Sequence, residues 1–162
     1  MKRRQSIRLP FYDYSWPGEY FITIITHRRR AYFGLPDETN NEVLALRSMV
    51  EEIWEALFSG VEEVLAINKV LMPNHFHCLI QLTKDNGKTI DHYNIKERRR
   101  MTIPMLVGKF KMQSSKAIND HFESLGKGRP FKWQRNYFER VVRNDRESVN
   151  VYNYIENNPV QW

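Results

Sequence analysis

Apolar and polar positions alternate along some stretches of the chain and recur every three or four residues along others. Tyr20 to Thr26 is dense in β-branched and aromatic residues and predicts a mostly buried strand. Asn40 to Ser59 predicts a helix: Val43, Leu46, Val50, Ile53 and Leu57 recur at helical spacing, Glu51, Glu52 and Glu55 fall outside that stripe, and Gly60 supplies the stop. Val64 to Met72 and Asn74 to Leu82 predict two further strands. Pro73 marks their junction, because a proline cannot donate into a sheet ladder. The polar segment 83–101 predicts a long exposed loop. Thr102 to Leu125 predicts a second long helix, with Pro104 in its first turn and Leu106, Phe110, Ala117 and His121 at helical spacing. Tyr137 to Arg143 predicts a fourth strand. Asn144 can cap a last helix, with Glu147 at the capping-box position and Pro159 as its end.

The order is β-α-β-β-α-β followed by a helix. It predicts an α+β fold of the ferredoxin-like kind, a four-stranded antiparallel sheet with two helices on one face. The other face must be covered or used for binding. No repeat or low-complexity tract interrupts the pattern, so residues 1–162 are expected to form one domain, with 1–19 as a basic and aromatic arm. The composition, 41% hydrophobic and 27% charged, is that of a globular chain. The formal net charge of +6 favours a polyanionic partner. One cysteine, Cys78, excludes an internal disulfide. No apolar run reaches the length of a membrane span, and the basic N-terminus lacks the apolar region of a signal peptide.

The densest chemistry lies in Leu71-Met-Pro-Asn-His-Phe-His-Cys-Leu-Ile80. Side chains alternate along a strand, so Phe76, Cys78, Ile80 and Leu82 share an apolar face while His75, His77 and Gln81 share the other. Two imidazoles on one strand face can converge on a divalent ion, or can simply be partly exposed side chains. The spacing fits neither a histidine-triad hydrolase, since position 79 is Leu, nor a cupin, nor a helical zinc-protease motif. Near the C-terminus, Val149, Tyr152 and Ile155 recur at spacing three and predict a packing stripe. Tyr154 and Asn158 are four apart and share another face. They can present a phenol and an amide oxygen together, or serve as packing and as a helix cap.

Taken together, Ser6-Ile-Arg-Leu9, Tyr12-Asp-Tyr14, Pro17-Gly-x-Tyr-Phe21, Pro73-Asn-His-Phe-His77, Trp133-Gln-Arg-Asn-Tyr137, Val142-Arg-Asn144 and Tyr154-Ile-Glu-Asn-Asn-Pro159 resemble the REP-associated tyrosine transposases. These belong to the HUH single-strand DNA transposases, insertion-sequence transposase-like enzymes. The landmarks span nearly the whole chain. Family members often continue past the Asn-Pro, whereas this sequence stops at Trp162. The resemblance implies that Tyr154 is the nucleophile on a DNA phosphodiester and that His75, His77 and Asn158 bind Mg²⁺ or Mn²⁺. A covalent 5′-phosphotyrosine would form and a 3′-hydroxyl would be released. The implied substrate is single-stranded DNA folded into a hairpin, handled by a monomer or a homodimer in the bacterial cytoplasm, at the nucleoid.

Basic residues at Lys2, Arg3, Arg4 and Arg8, at Arg28, Arg29 and Arg30, and at Arg129, Lys132 and Arg135 are expected to contact phosphates. Phe11, Tyr12, Tyr14 and Trp133 are placed to stack on unpaired bases. Two rival readings share part of this pattern. One is a non-catalytic nucleic-acid-binding domain of the RNA-recognition type, which has the same strand order but reads bases with aromatics on its sheet. The other is a degenerate transposase that binds DNA without cutting it.

Overall fold

The computed structural model describes residues 9, 11–35, 37–59, 61–85, 87 and 90–161. Lys2, Arg3, Arg4 and Arg8, and the helix stop assigned to Gly60, lie outside the described residues. The elements are β1 (Gly18–Ile25), α1 (Asn41–Phe58), β2 (Val64–Met72), β3 (His75–Leu82), α2 (Ile95–Arg98), α3 (Thr102–Ser124), β4 (Phe138–Val142) and α4 (Asp145–Gln161), with a short 3-10 turn at His27–Arg29.

The four strands form one antiparallel sheet in the order β2-β3-β1-β4. This is the ferredoxin-like arrangement that the element order predicts. The turn at Pro73-Asn74 joins β2 to β3, with Met72 opposite His75. On one face the alternation in β3 buries Phe76, Cys78, Ile80 and Leu82 in a large cluster with Tyr20, Ile22 and Ile24 from β1. Helices α1 and α3 cover this face. Trp54 of α1 and Phe110 of α3 meet Phe76 at ring-centroid distances of 4.8 and 5.0 Å.

On the other face Leu79, Val142, Val151 and Ile155 form a second, smaller cluster, packed by Phe21, Ile67 and Val70. Helix α4 therefore lies across the face that an RNA-recognition domain keeps open for bases. Asn68 of β2 donates from Nδ2 to Glu156 Oε1 at 2.8 Å and ties the helix to the sheet edge.

Local chemistry explains the helix ends. Asn40 Oδ1 accepts from the amides of Glu42 and Val43 at 3.0 and 3.3 Å. Asn144 Oδ1 accepts from Glu147 N at 2.9 Å, and Glu147 reaches back to Arg143 N at 2.7 Å, one residue before the usual capping-box position.

Several expectations need correction. Helix α4 does not stop at Pro159 but runs through it to Gln161. Pro159 forfeits the one bond its missing amide would donate to the carbonyl four residues earlier, and with two helical residues after it little of the ladder remains to disturb. The packed side of α4 is Val151, Ile155 and Asn158, while Val149 is 58% exposed and Tyr152 43% exposed. In α1 the deepest line is Leu46, Val50 and Trp54, and in α3 it includes Val107, Phe110, Ser114, Ile118 and Phe122, with Ala117 and His121 at its edge. The segment 83–101 contains α2 and ends in a buried methionine, Met101, whose Sδ takes the Tyr14 amide at 3.4 Å. Residues 13–15, expected within an arm, are buried in the same region.

Candidate active site

The site lies where β3, β1 and α4 meet on the sheet face opposite α1 and α3. Antiparallel register sets Thr23 of β1 across from His77, and Ile25 across from His75. Thr23 Oγ1 lies 2.8 Å from His77 Nδ1. His75 Nδ1 lies 2.7 Å from Asn74 Oδ1 in the turn just before it. The two imidazoles stand at 4.5 Å between ring centroids, inclined at 72°. His77 is only 5% exposed and stacks on Phe21, with centroids 5.3 Å apart.

Burial disfavours a charged ring. It pulls the His75 imidazole down to about 4, and the positive charge of Arg29 adds to the effect. His77 falls to about 3, through burial first and His75 second. Both rings are therefore neutral at neutral pH and keep a nitrogen lone pair, as a metal ligand must.

Tyr154 comes to this pair from α4. Its hydroxyl lies 3.4 Å from His77 Nε2, and its ring meets Phe21 edge-on at 5.9 Å. The side chain is 46% exposed. Asn158, one helical turn later, is 8% exposed on the packed side of α4. Among the described residues no group of three or more His, Cys, Asp or Glu could hold a cation. A third protein ligand beside the two imidazoles would have to come from another residue type, such as the Asn158 amide.

The cluster Arg28, Arg29 and Arg30 sits beside the pair. Thr26 N donates to Asn74 O at 2.9 Å, and Thr26 Oγ1 is shared between Arg30 O at 2.7 Å and Asn74 O at 3.0 Å. These bonds hold a turn in which Arg28 and Arg29 adopt φ of 58° and 54°, a left-handed conformation that costs a non-glycine residue energy. Arg28, Arg29 and Arg30 are all exposed. The loop with Lys132 and Arg135 adjoins the same turn, through His27 N to Lys132 O and Gln134 N to Ile25 O, both 2.7 Å. Lys111 of α3 fixes that loop by donating to Gln134 O at 2.6 Å and Arg135 O at 2.9 Å. Lys132 and Arg135 are exposed. Arg129 is exposed but already paired with Asp120 and Glu123, each at 2.7 Å.

Two of the expected base-stacking aromatics are not available for that role. Tyr14 is 1% exposed, and Trp133 is 7% exposed with Nε1 donating to Ser114 Oγ at 2.9 Å. Tyr12 packs edge-on against Tyr14 and Trp16. Phe11 is exposed and touches Tyr93, which is also exposed. Sequence reading assigned no role to Thr23, Asn74 or Phe21. Asn74 precedes the histidines directly and could have been singled out. Thr23 becomes a partner of His77 only once the strand register is known.

The fold thus sets a histidine pair on a central strand and a tyrosine on the helix laid across it. The IS200-like transposase family model matches residues 90–158. A Haemophilus influenzae protein of uncharacterised function is 30% identical over 166 residues, spanning 98% of this chain and 89% of its own length. A second protein of that organism, provisionally named a REP-associated tyrosine transposase, is 29% identical over 150 residues, 92% of this chain and 74% of its own. Among solved structures, a REP-associated tyrosine transposase bound to a REP hairpin superposes with a TM-score of 0.58 at 18% identity, covering 97% of this chain and 73% of that one. A provisionally named transposase from Deinococcus radiodurans superposes with a TM-score of 0.50 at 17% identity, covering 97% of both chains. Residues 90–158 thus match the IS200-like transposase family, and the chain's relatives include a protein provisionally named a REP-associated tyrosine transposase.

Proposed function

We propose that the protein is a metal-dependent endonuclease and strand transferase that cuts single-stranded DNA beside hairpins and holds the cut end on Tyr154. The observation that carries this reading is the approach of the Tyr154 hydroxyl to His77 Nε2 at 3.4 Å, between residues 77 apart in the chain. Packing alone does not require a half-exposed phenol to be aimed at a buried imidazole.

The residues present fit a divalent cation. Each imidazole is engaged through Nδ1, by Asn74 or Thr23, which is how metal-bound histidines are commonly anchored. His75 and His77 would offer Nε2, and Asn158 an amide oxygen, a mixed set compatible with Mn²⁺ or Mg²⁺. Once bound, the cation would neutralise charge on the non-bridging oxygens of the scissile phosphate.

The chain's own part is nucleophile, position and charge. Tyr154 Oη attacks phosphorus and the bond from phosphorus to the 3′-oxygen breaks. The phenol proton passes to solvent and the departing oxygen takes one up as a 3′-hydroxyl. The new ester joins the 5′-phosphate to Tyr154 and conserves the bond energy, so rejoining needs no nucleotide cofactor. Phe21 holds both the His77 and the Tyr154 ring, which limits the motion of the nucleophile. Arg28, Arg29 and Arg30 would bind flanking phosphates. A preference for hairpin DNA is supported by the relative that was solved with a REP hairpin. Each chain offers one such tyrosine, so a transfer that needs two cuts must reuse it or draw on a second subunit.

Incubating the protein with end-labelled hairpin DNA and Mn²⁺ tests the reading. It predicts an upstream fragment ending in a free 3′-hydroxyl and a downstream fragment linked to the protein through its 5′-phosphate, both abolished by EDTA. Cleavage without a protein-linked end, or with the opposite polarity, would contradict it. Binding without any cleavage would favour a degenerate transposase.

A further inference from the structure

We propose that Asn74 is a positioning residue which sets the tautomer of His75, so that Nε2 carries the lone pair. The value of that lone pair as a ligand rests on the metal-dependent reading above.

The assignment follows from a chain of three groups whose roles are not interchangeable. One end of the Asn74 amide lies 3.3 Å from the backbone oxygen of Arg29, and the other lies 2.7 Å from His75 Nδ1. A carbonyl oxygen only accepts, so the amide end facing Arg29 must be the NH₂ group. The end facing His75 is then the amide oxygen, which also only accepts. Nδ1 must therefore carry the hydrogen. A neutral imidazole has one N–H, so Nε2 has none and is the basic nitrogen. A main-chain carbonyl in the arginine turn thus fixes an amide, and the amide fixes a ring.

The partner of His77 has no such power. Thr23 Oγ1 lies 2.8 Å from Nδ1, but a hydroxyl can donate or accept and fits either tautomer. The anchor on the Asn74 side is itself held. Asn74 O accepts from Thr26 N at 2.9 Å, and Thr26 Oγ1 reaches Arg30 O at 2.7 Å. The arginine turn and the β2–β3 turn form one hydrogen-bonded unit, with Asn74 contributing both its main chain and its side chain.

Histidine ring ¹⁵N shifts in the metal-free protein at neutral pH test this without reference to catalysis. The parent protein should show His75 as the Nδ1–H tautomer, and an Nε2–H ring would overturn the proposal. Asn74→Ala should mix the two tautomers and weaken Mn²⁺ binding by about 10- to 100-fold in calorimetric titration, the usual effect of losing a partner of a ligand. Asn74→Asp keeps an acceptor toward Nδ1 and should restore the parent tautomer and most of the affinity. An Asn74→Ala protein with an unchanged His75 ring and unchanged Mn²⁺ affinity would also refute the assignment. If even the parent fails to bind Mn²⁺, the metal reading fails, while the ring spectra still decide the role of Asn74.

Discussion

Replacing Ile155 by alanine tests which side of α4 is packed and what that packing does for the site. Ile155 is 1% exposed, in the small cluster with Leu79, Val142 and Val151. The change removes three carbons, worth about 0.8 kcal/mol each in lost burial, and leaves a cavity whose cost depends on collapse. Because α4 is the outer layer on this face and can settle inward, a total of about 2–3 kcal/mol is expected rather than the upper end near ~5 kcal/mol. In a protein of this size that is a fall in Tm of roughly 4–12 °C. Val149→Ala, on a side chain 58% exposed, should stay within about 0.5 kcal/mol. Urea unfolding of both variants checks the contrast. Amide exchange adds a second readout: α4 in Ile155→Ala should open more readily than α3, because the two helices rest on separate clusters. Equal costs at 149 and 155, or a cost below ~1 kcal/mol at 155, would refute this account of how Tyr154 is held.

Three further outcomes follow from the same structure. Phe76→Ala removes a fully buried ring from between Trp54 and Phe110 and should cost about 3–5 kcal/mol by urea unfolding, whereas His77→Ala should lose Mn²⁺ binding and DNA cleavage yet keep its CD spectrum. His75 and His77 titrate near about 4 and about 3 when folded and near about 6.5 when unfolded, so the unfolded chain binds more protons in that window. Stability should decline as pH falls from about 6.5 and the histidine part should level off near about 3; a His75→Gln/His77→Gln protein with the same pH dependence would contradict this. Affinity for hairpin DNA should fall with salt by about 0.7 log units per log unit for each single-strand phosphate held, and Arg28→Ala with Arg30→Ala should flatten that slope by about 0.7 for each phosphate no longer neutralised.

The strands and the two long helices were legible because each has a strong local signal. In β3 the alternation from Phe76 to Leu82 separates a core face from the histidine face, and Pro73 can only sit at a turn or an edge. The cap at Asn144 is equally local. The packed side of α4 was not legible for a physical reason. Val149, Tyr152 and Ile155 recur as well as Val151, Ile155 and Asn158 do, and only the sheet surface decides between them. The second stripe wins because it brings Val151 and Ile155 onto Leu79, which β3 turns away from the main core. The burial of Met101 and Tyr14 was not legible because neither lies in a segment with strand or helix periodicity, and the two meet across 87 residues. In the site, the grouping of His75, His77 and Tyr154 is what the family resemblance implies, since spacing alone leaves each pair open to a packing role. Thr23 could not, because its role depends on a register that exists only in the folded sheet.

Two tyrosines two residues apart on α4 give the most direct test of the proposed chemistry, since about 200° separates them around the helix. Tyr154 reaches His77, whereas Tyr152 is exposed on a different side of α4. Tyr154→Phe keeps the ring that meets Phe21 and removes only the oxygen, so it should melt within about 1 kcal/mol of the parent and still bind hairpin DNA. Incubated with labelled hairpin DNA and Mn²⁺, it should form no covalent protein–DNA adduct, while Tyr152→Phe should form it at the parent rate. An adduct formed by Tyr154→Phe, or a peptide map placing the DNA on Tyr152, would contradict the account.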